Sequence, residues 1–127
     1  MSDTVVTVVA RKKMCEARAG ISTLDTIAQM AFGTGGVDSS GEPVDHADTD
    51  TELNKQVIVK DIDGYEVLSD TKIRYTCTIA AGDLPAGTEL SEVALIDSAG
   101  DVVAFKSFYP KGIDADLDTE FQCDDTF

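Results

Sequence analysis

Residues 72–108, KIRYTCTIAAGDLPAGTELSEVALIDSAGDVVAFKSF, decide the fold class of this chain. Ile73, Tyr75, Cys77 and Ile79 alternate with Lys72, Arg74, Thr76 and Thr78. A strict period of two turns the apolar set toward a core and the polar set toward water, as in a half-buried strand. Strands over 88–97 and 101–108 follow, joined at Asp97-Ser-Ala-Gly100, a hairpin turn. Ile73, Cys77, Ile79, Leu95, Ile96, Val103 and Phe105 are the candidate core. Leu95 and Ile96 are adjacent, so one buried face cannot hold both, whereas a strand buried on its two faces can.

Outward from this block, the pattern stays mostly β. Residues 8–19, VVARKKMCEARA, hold good helix formers, with Val9, Met14 and Ala17 near one face. Thr7 suits the N-cap, and Gly20 stands where a helix end takes a left-handed residue. Residues 24–32, LDTIAQMAF, read as a strand with Leu24, Ala28, Met30 and Phe32 on one side, stopping at Gly33. Short strands over 55–61 and 64–69 meet at Asp63-Gly64, a tight-turn dipeptide. Pro110-Lys-Gly112 breaks the chain before a last strand over 118–124. Repeated short strands at this spacing predict an antiparallel β-sandwich with one N-terminal helix packed on it, a mainly β (α+β) fold spanning residues 1–127 as a single domain. Residues 33–52, GTGGVDSSGEPVDHADTDTE, have no periodicity and are expected to form a long mobile loop.

Charge narrows the partners. Ten Lys and Arg face 24 Asp and Glu, for a net charge of −14. Such a field repels nucleic acid and anionic membrane surfaces, and it keeps a protein soluble. No stretch approaches the ~20 apolar residues that cross a bilayer. The start MSDTVVTVVARKK carries its positive charge after its short apolar run, so no signal peptide is expected. Cys15, Cys77 and Cys123 are widely spaced and odd in number, which argues against a disulfide framework and a zinc site. Cys77 and Cys123 lie on apolar strand faces and suit a reducing compartment.

The candidates for chemistry are weak. Phe32-Gly-Thr-Gly-Gly36 invites a phosphate-loop reading, but no Lys-Ser or Lys-Thr and no helix pattern follow, and the neighbourhood is acidic. It reads as a flexible turn leaving a strand. Asp45, Asp48, Asp50 and Glu52, and then Asp114, Asp116, Asp118 and Glu120, offer the hard oxygens calcium takes. Neither set has the glycine and terminal glutamate of a twelve-residue calcium loop, so both read as solvated acidic segments. His46 is the only histidine, and an exposed place among carboxylates is expected for it. A triad of Ser39 or Ser40 with His46 and Asp48 lacks preorganisation on a mobile loop. No catalytic, cofactor-binding or metal-binding residue is assigned, no cofactor is expected, and the chain is not expected to be an enzyme.

Four segments, in this order, resemble the N-terminal module of the phage tail-collar fibre family. They are a basic helix ending in Ala-Gly, residues 10–20; a strand entering a glycine-rich turn, residues 27–36; Thr51-Glu-Leu-Asn-Lys-Gln-Val57; and Glu92-Val-Ala-Leu-Ile-Asp-Ser-Ala-Gly-Asp101 between two strands. The family usually has Arg-Glu-x-Gly-Leu-Phe-Asp-x-x-Gly-x-Leu at the last of these. Here Ala94 stands for its usual glycine, AAGDLPAG over 80–87 replaces an aromatic-rich approach, and no shaft or collar sequence follows Phe127. The resemblance implies a structural tail-fibre or baseplate-attachment module of a phage, prophage remnant or tail-like bacteriocin. It also implies other tail or baseplate proteins as partners and self-assembly, three-fold assembly being similar to tail fibres in general. The place would be the bacterial cytoplasm during assembly and then the tail particle. The rival is a carbohydrate- or receptor-binding sandwich, for which Tyr65, Tyr75 and Tyr109 are few and scattered and Trp is lacking.

Overall fold

The computed structural model describes residues 4–127. Thr7 starts the helix α1 (Val8–Arg18), accepting the Ala10 N–H at 3.1 Å on its hydroxyl oxygen. The same hydroxyl donates to the Val102 carbonyl at 2.9 Å, so one side chain caps the helix and ties it to a strand. Past the C-cap Ala19, Gly20 has φ +79° and its N–H reaches the Ala17 carbonyl, a left-handed helix end. The helix touches the sheet with less apolar surface than its sequence implies. Ala10 is its one fully buried residue, while Val9, Met14 and Ala17 are half-buried.

The strands are β1 (Val5–Val6), β2 (Ile27–Gly33), β3 (Gln56–Asp61), β4 (Gly64–Ser69), β5 (Lys72–Ile79), β6 (Glu89–Asp97), β7 (Val102–Gly112) and β8 (Thr119–Thr126). They form two antiparallel sheets packed together, in the orders β1-β7-β6-β2-β3 and β4-β5-β8, giving the expected mainly β fold with one helix. Met30, Phe32, Leu90, Val93 and Leu95 of the larger sheet meet Cys77, Ile79, Phe121 and Cys123 of the smaller one. Phe32 and Phe121 stand 4.9 Å apart at their ring centres. The outer face of the larger sheet carries a second cluster of Ala31, Leu53, Ala94, Ile96 and Phe105. Strand β6 is therefore buried on both faces from Leu90 to Asp97, and Leu95 and Ile96 serve different cores. Of the candidate core, Ile73 and Val103 are only half-buried.

Three expectations need correction. Asp63-Gly64 does not close a hairpin: β3 belongs to one sheet and β4 to the other. Ile62 packs against the interlayer core there, and the chain crosses between layers. Pro110 does not end β7. It lies where the β6–β7 register shifts between Leu90 and Glu92, an irregularity that tolerates a residue without an N–H. Strand β2 starts at Ile27, paired with the last residue of β6, so residues 24–26 have no neighbouring strand and Leu24 is 48% exposed. Strand β1, which no sequence pattern announces, pairs with β7 through only two residues, too few to show a period. The Asp97–Gly100 hairpin forms as expected, with Gly100 at φ +90° and the Asp97 carboxylate accepting the Ala99 and Asp101 N–H groups. Among the described residues no helix is long and apolar enough to cross a membrane.

Phe105 is wholly buried on the outer face of a sheet. Phe105→Ala is expected to cost about 3–5 kcal/mol in denaturant unfolding. An unchanged midpoint and slope would show that the outer-face cluster contributes nothing.

Candidate functional site

Two polar constellations stand out in the folded chain. The first centres on Glu92, in the middle strand of the larger sheet and fully buried. Its Oε1 accepts the Asn54 N–H at 3.0 Å and faces His46 Nε2 at 2.8 Å, and its Oε2 accepts the N–H groups of Gly35 at 2.9 Å and Lys55 at 2.8 Å. His46 Nδ1 lies 2.9 Å from the Asp50 carboxylate, and the ring stacks on Phe105 at 4.2 Å and 11°. Carboxylates only accept, so an imidazolium donates to both acids, whereas a neutral ring donates to one. Beside Glu92, the Ser91 hydroxyl accepts the Gly36 N–H at 2.9 Å, and Ser107 donates to the Val44 carbonyl at 2.7 Å.

The glycine-rich turn follows from this carboxylate. A Cβ on Gly33 would lie 2.5 Å from Glu92 Oε2, one on Gly35 would lie 2.7 Å from the Asn54 Cβ, and one on Gly36 would overlap the Ser91 carbonyl. Within the glycine-rich turn only the Gly35 N–H meets an anion, the chain's own Glu92, and the Asn54 and Lys55 N–H groups complete the cradle. His46 is correspondingly 6% exposed rather than solvent-facing, because the buried carboxylate draws it in and Phe105 covers one ring face. The segment 33–52, expected to form a mobile loop, is instead tied down at Gly35, Gly36, Val44, His46 and Asp50, and Val37 bridges to Pro43.

The paper triad does not assemble. His46 meets Asp50 and Glu92, not Ser39 or Ser40, and Asp48 pairs with Arg11 at 2.6 Å. Nor do the acidic segments converge. Asp118 accepts the Ala81 N–H, Asp114 accepts that of Asp116, and no three metal-ligating side chains gather among the described residues. Burial pushes the Cys77 thiol up to about 11 and that of Cys123 up to about 12, as befits cysteines used as small apolar residues.

The second constellation is a cleft of about 340 Å³ between α1 and the end of the interlayer core. Val6, Met14, Ile27 and Val103 supply apolar wall, and Tyr65 and Tyr75, cross-strand partners with ring centres 6.4 Å apart, supply aromatic wall. Asp125 lines it too. On β8 the inward set runs Phe121, Cys123, Asp125, so a carboxylate occupies a place where the alternation calls for an apolar side chain. Asp125 is 8% exposed, and among the described residues none donates a hydrogen bond to its carboxylate. Burial pushes its pKa above the ordinary value, whereas the Arg74 guanidinium, bonded at 2.8 and 3.2 Å, holds the adjacent Asp124 below it. At the cleft edge, Lys13 meets Asp97 at 2.6 Å, Asp101 at 2.7 Å and Asp25 at 3.1 Å. Bonding to Asp101 first and Asp97 next raises the Lys13 pKa.

Neither Glu92 nor Asp125 stands out by residue type in a chain with so many acids. The available signal was an acid inside an otherwise apolar strand pattern, Ser91-Glu-Val-Ala-Leu-Ile96 and Phe121-Gln-Cys-Asp-Asp125. No family model, curated protein or solved structure matches this chain.

Glu92→Ala leaves His46 and three backbone N–H groups without their acceptor and is expected to cost about 3–5 kcal/mol. Limited proteolysis is expected to leave residues 33–52 of the parent protein intact with calcium or with chelator, and to cut there in Glu92→Ala and Gly36→Ala. Equal cleavage of all three would show that the carboxylate does not anchor the segment. For Asp125 the sign is opposite to that of a paired acid: its raised folded pKa means the ionised form weakens folding, and the penalty fades as pH falls through that pKa. Asp125→Asn is thus expected to raise the melting temperature at pH 7, with the gap to the parent narrowing as pH drops toward the ordinary value of 3.8.

Proposed function

We propose that this protein is a non-enzymatic structural component of a phage or phage-like tail, joining fibre or baseplate parts by protein–protein contacts. The supporting observation is the Glu92–Asp101 block, the clearest element of the tail-collar resemblance. Those residues make up most of the doubly buried central strand and its hairpin, and Glu92 carries the bonds that hold the long loop against the sheet. A scaffold with this arrangement presents rigid surfaces, which suits an assembly part. The titratable pair His46 and Glu92 is engaged in holding the loop, a use that fits a structural role.

Assembly has surfaces to use. Strand β4 is an edge of its sheet, with Tyr65 69% and Val67 63% exposed, and β3 is an edge of the other, with Val57 42% exposed. Edge strands with apolar side chains invite pairing with another chain. The proposal expects the purified protein to associate, with itself or with tail and baseplate proteins from the same source. Light scattering across a concentration series and pull-down with those proteins check it. A strict monomer that binds none of them would overturn the tail reading.

A further inference from the structure

We infer that the cleft between α1 and the end of the interlayer core binds an aliphatic primary ammonium group, its cation at the Asp125 carboxylate beside Tyr75 and Tyr65 and its carbon chain along Val6, Met14 and Val103. This inference stands apart from the tail reading and rests on the cleft alone.

A carboxylate that points inward on a strand, with apolar neighbours, is costly to hold unless something compensates it. Asp125 is 8% exposed as a residue, its carboxylate oxygens reach the cleft, and among the described residues it has neither a hydrogen-bond donor nor an ion-pair partner. Asp124, the next residue, faces the other way and is fully engaged by Arg74. The contrast matters because Asp125 is the acid that opens into a cavity. The one basic residue in the cleft lining, Lys13, is already engaged, since it meets Asp25, Asp97 and Asp101. The charges around the cleft therefore sum to an excess of negative charge, on a chain of net charge −14, and this favours a positive ligand.

The remaining walls specify the rest of the ligand. Tyr75 pairs across the sheet with Cys123, and Asp125 lies two residues further along the same inward face, so ring and carboxylate are diagonal neighbours. Tyr65 extends the aromatic surface on the far side of Tyr75. Aromatic rings beside an acid stabilise a cation through the ring quadrupole as well as the charge. A primary ammonium has three N–H donors for the carboxylate lone pairs, which a quaternary ammonium lacks. The apolar wall next to Asp125 accepts a short hydrocarbon chain, and a volume of about 340 Å³ admits a ligand of that size. Leu24, Tyr65 and Phe127 are 48%, 69% and 65% exposed on the cleft lining, so apolar surface there is open to a ligand. The same chemistry is carried by a free alkylamine and by the lysine side chain of another protein.

Titration of the full chain with butylammonium, followed by calorimetry and by amide chemical shifts, tests the inference. Saturable binding is expected, with shifts concentrated at Tyr65, Tyr75 and Asp125. Asp125→Asn is expected to weaken it at least ten-fold while remaining folded. Tyr65→Ala, which alters an exposed ring, is expected to weaken it several-fold. Butanol, of the same shape without charge, is expected to bind far more weakly. Binding of Nα-acetyl-lysine methylamide, which keeps its ε-ammonium, at the same residues supports a lysine of a partner as the source, and binding of butylammonium alone supports a free amine. Absence of saturable butylammonium binding, equal binding of butanol, or affinity unchanged in a folded Asp125→Asn would each overturn the inference.

Discussion

The bond set around the Glu92 carboxylate holds the larger sheet and the long loop together. A fully buried carboxylate is tolerable only if its lone pairs are taken up, and here three backbone N–H groups and an imidazole do so. Those donors come from residues 35, 46, 54 and 55, spread along a segment with few apolar residues of its own. Charge-assisted hydrogen bonds do for this segment what apolar burial does for the strands. The consequence reaches back into composition. Gly33, Gly35 and Gly36 face the Glu92–Ser91 backbone and side chain so closely that a side chain on any of them would displace the loop.

The docked segment also explains how a strand can be buried on both faces in so small a chain. One face of β6 meets the second sheet, while the other is covered by Leu53 and His46 from the loop side, with Phe105 between. The helix adds a third cover at the far end, held less by apolar contact than by Thr7, which bonds β7, and by Lys13, which bonds the acids of the β6–β7 turn. Polar contacts thus set the positions of both non-sheet elements, and the two hydrophobic clusters form beneath them.

The cleft is the counterpart of the Glu92 site. Both hold an acid on a covered strand face, Glu92 on the outer face of the larger sheet beneath the docked loop and Asp125 on the interlayer face of β8. Glu92 is closed off by four donors, whereas Asp125 opens into a cavity with aromatic and aliphatic walls. One acid stabilises the fold through its bonds, and the other weakens it through its burial, as the opposite environments of Asp125 and the Arg74-paired Asp124 on the same strand illustrate.

Local rules were enough for the helix and for the middles of the longer strands. The strand over 72–79, whose burial alternates only from Thr76 to Ile79, the adjacent Leu95 and Ile96, the Thr7 cap, the Gly20 stop and the Asp97–Gly100 turn each depend on neighbours a few residues away. Long-range pairing decided the rest. Asp63-Gly64 has the chemistry of a tight turn, yet the chain crosses layers there because Ile62 joins the interlayer core. Pro110 has the chemistry of a break, yet β7 continues because the register shift there needs no N–H from it. His46 has the chemistry of an exposed loop residue, and only the approach of Glu92, 46 positions away, buries it. Asp125 differs from the adjacent Asp124 in the direction its side chain faces, which the pairing of β8 with β5 sets. Side-chain period is encoded within a few residues, whereas the partner that satisfies or strands a buried charge is chosen by contacts across the whole fold.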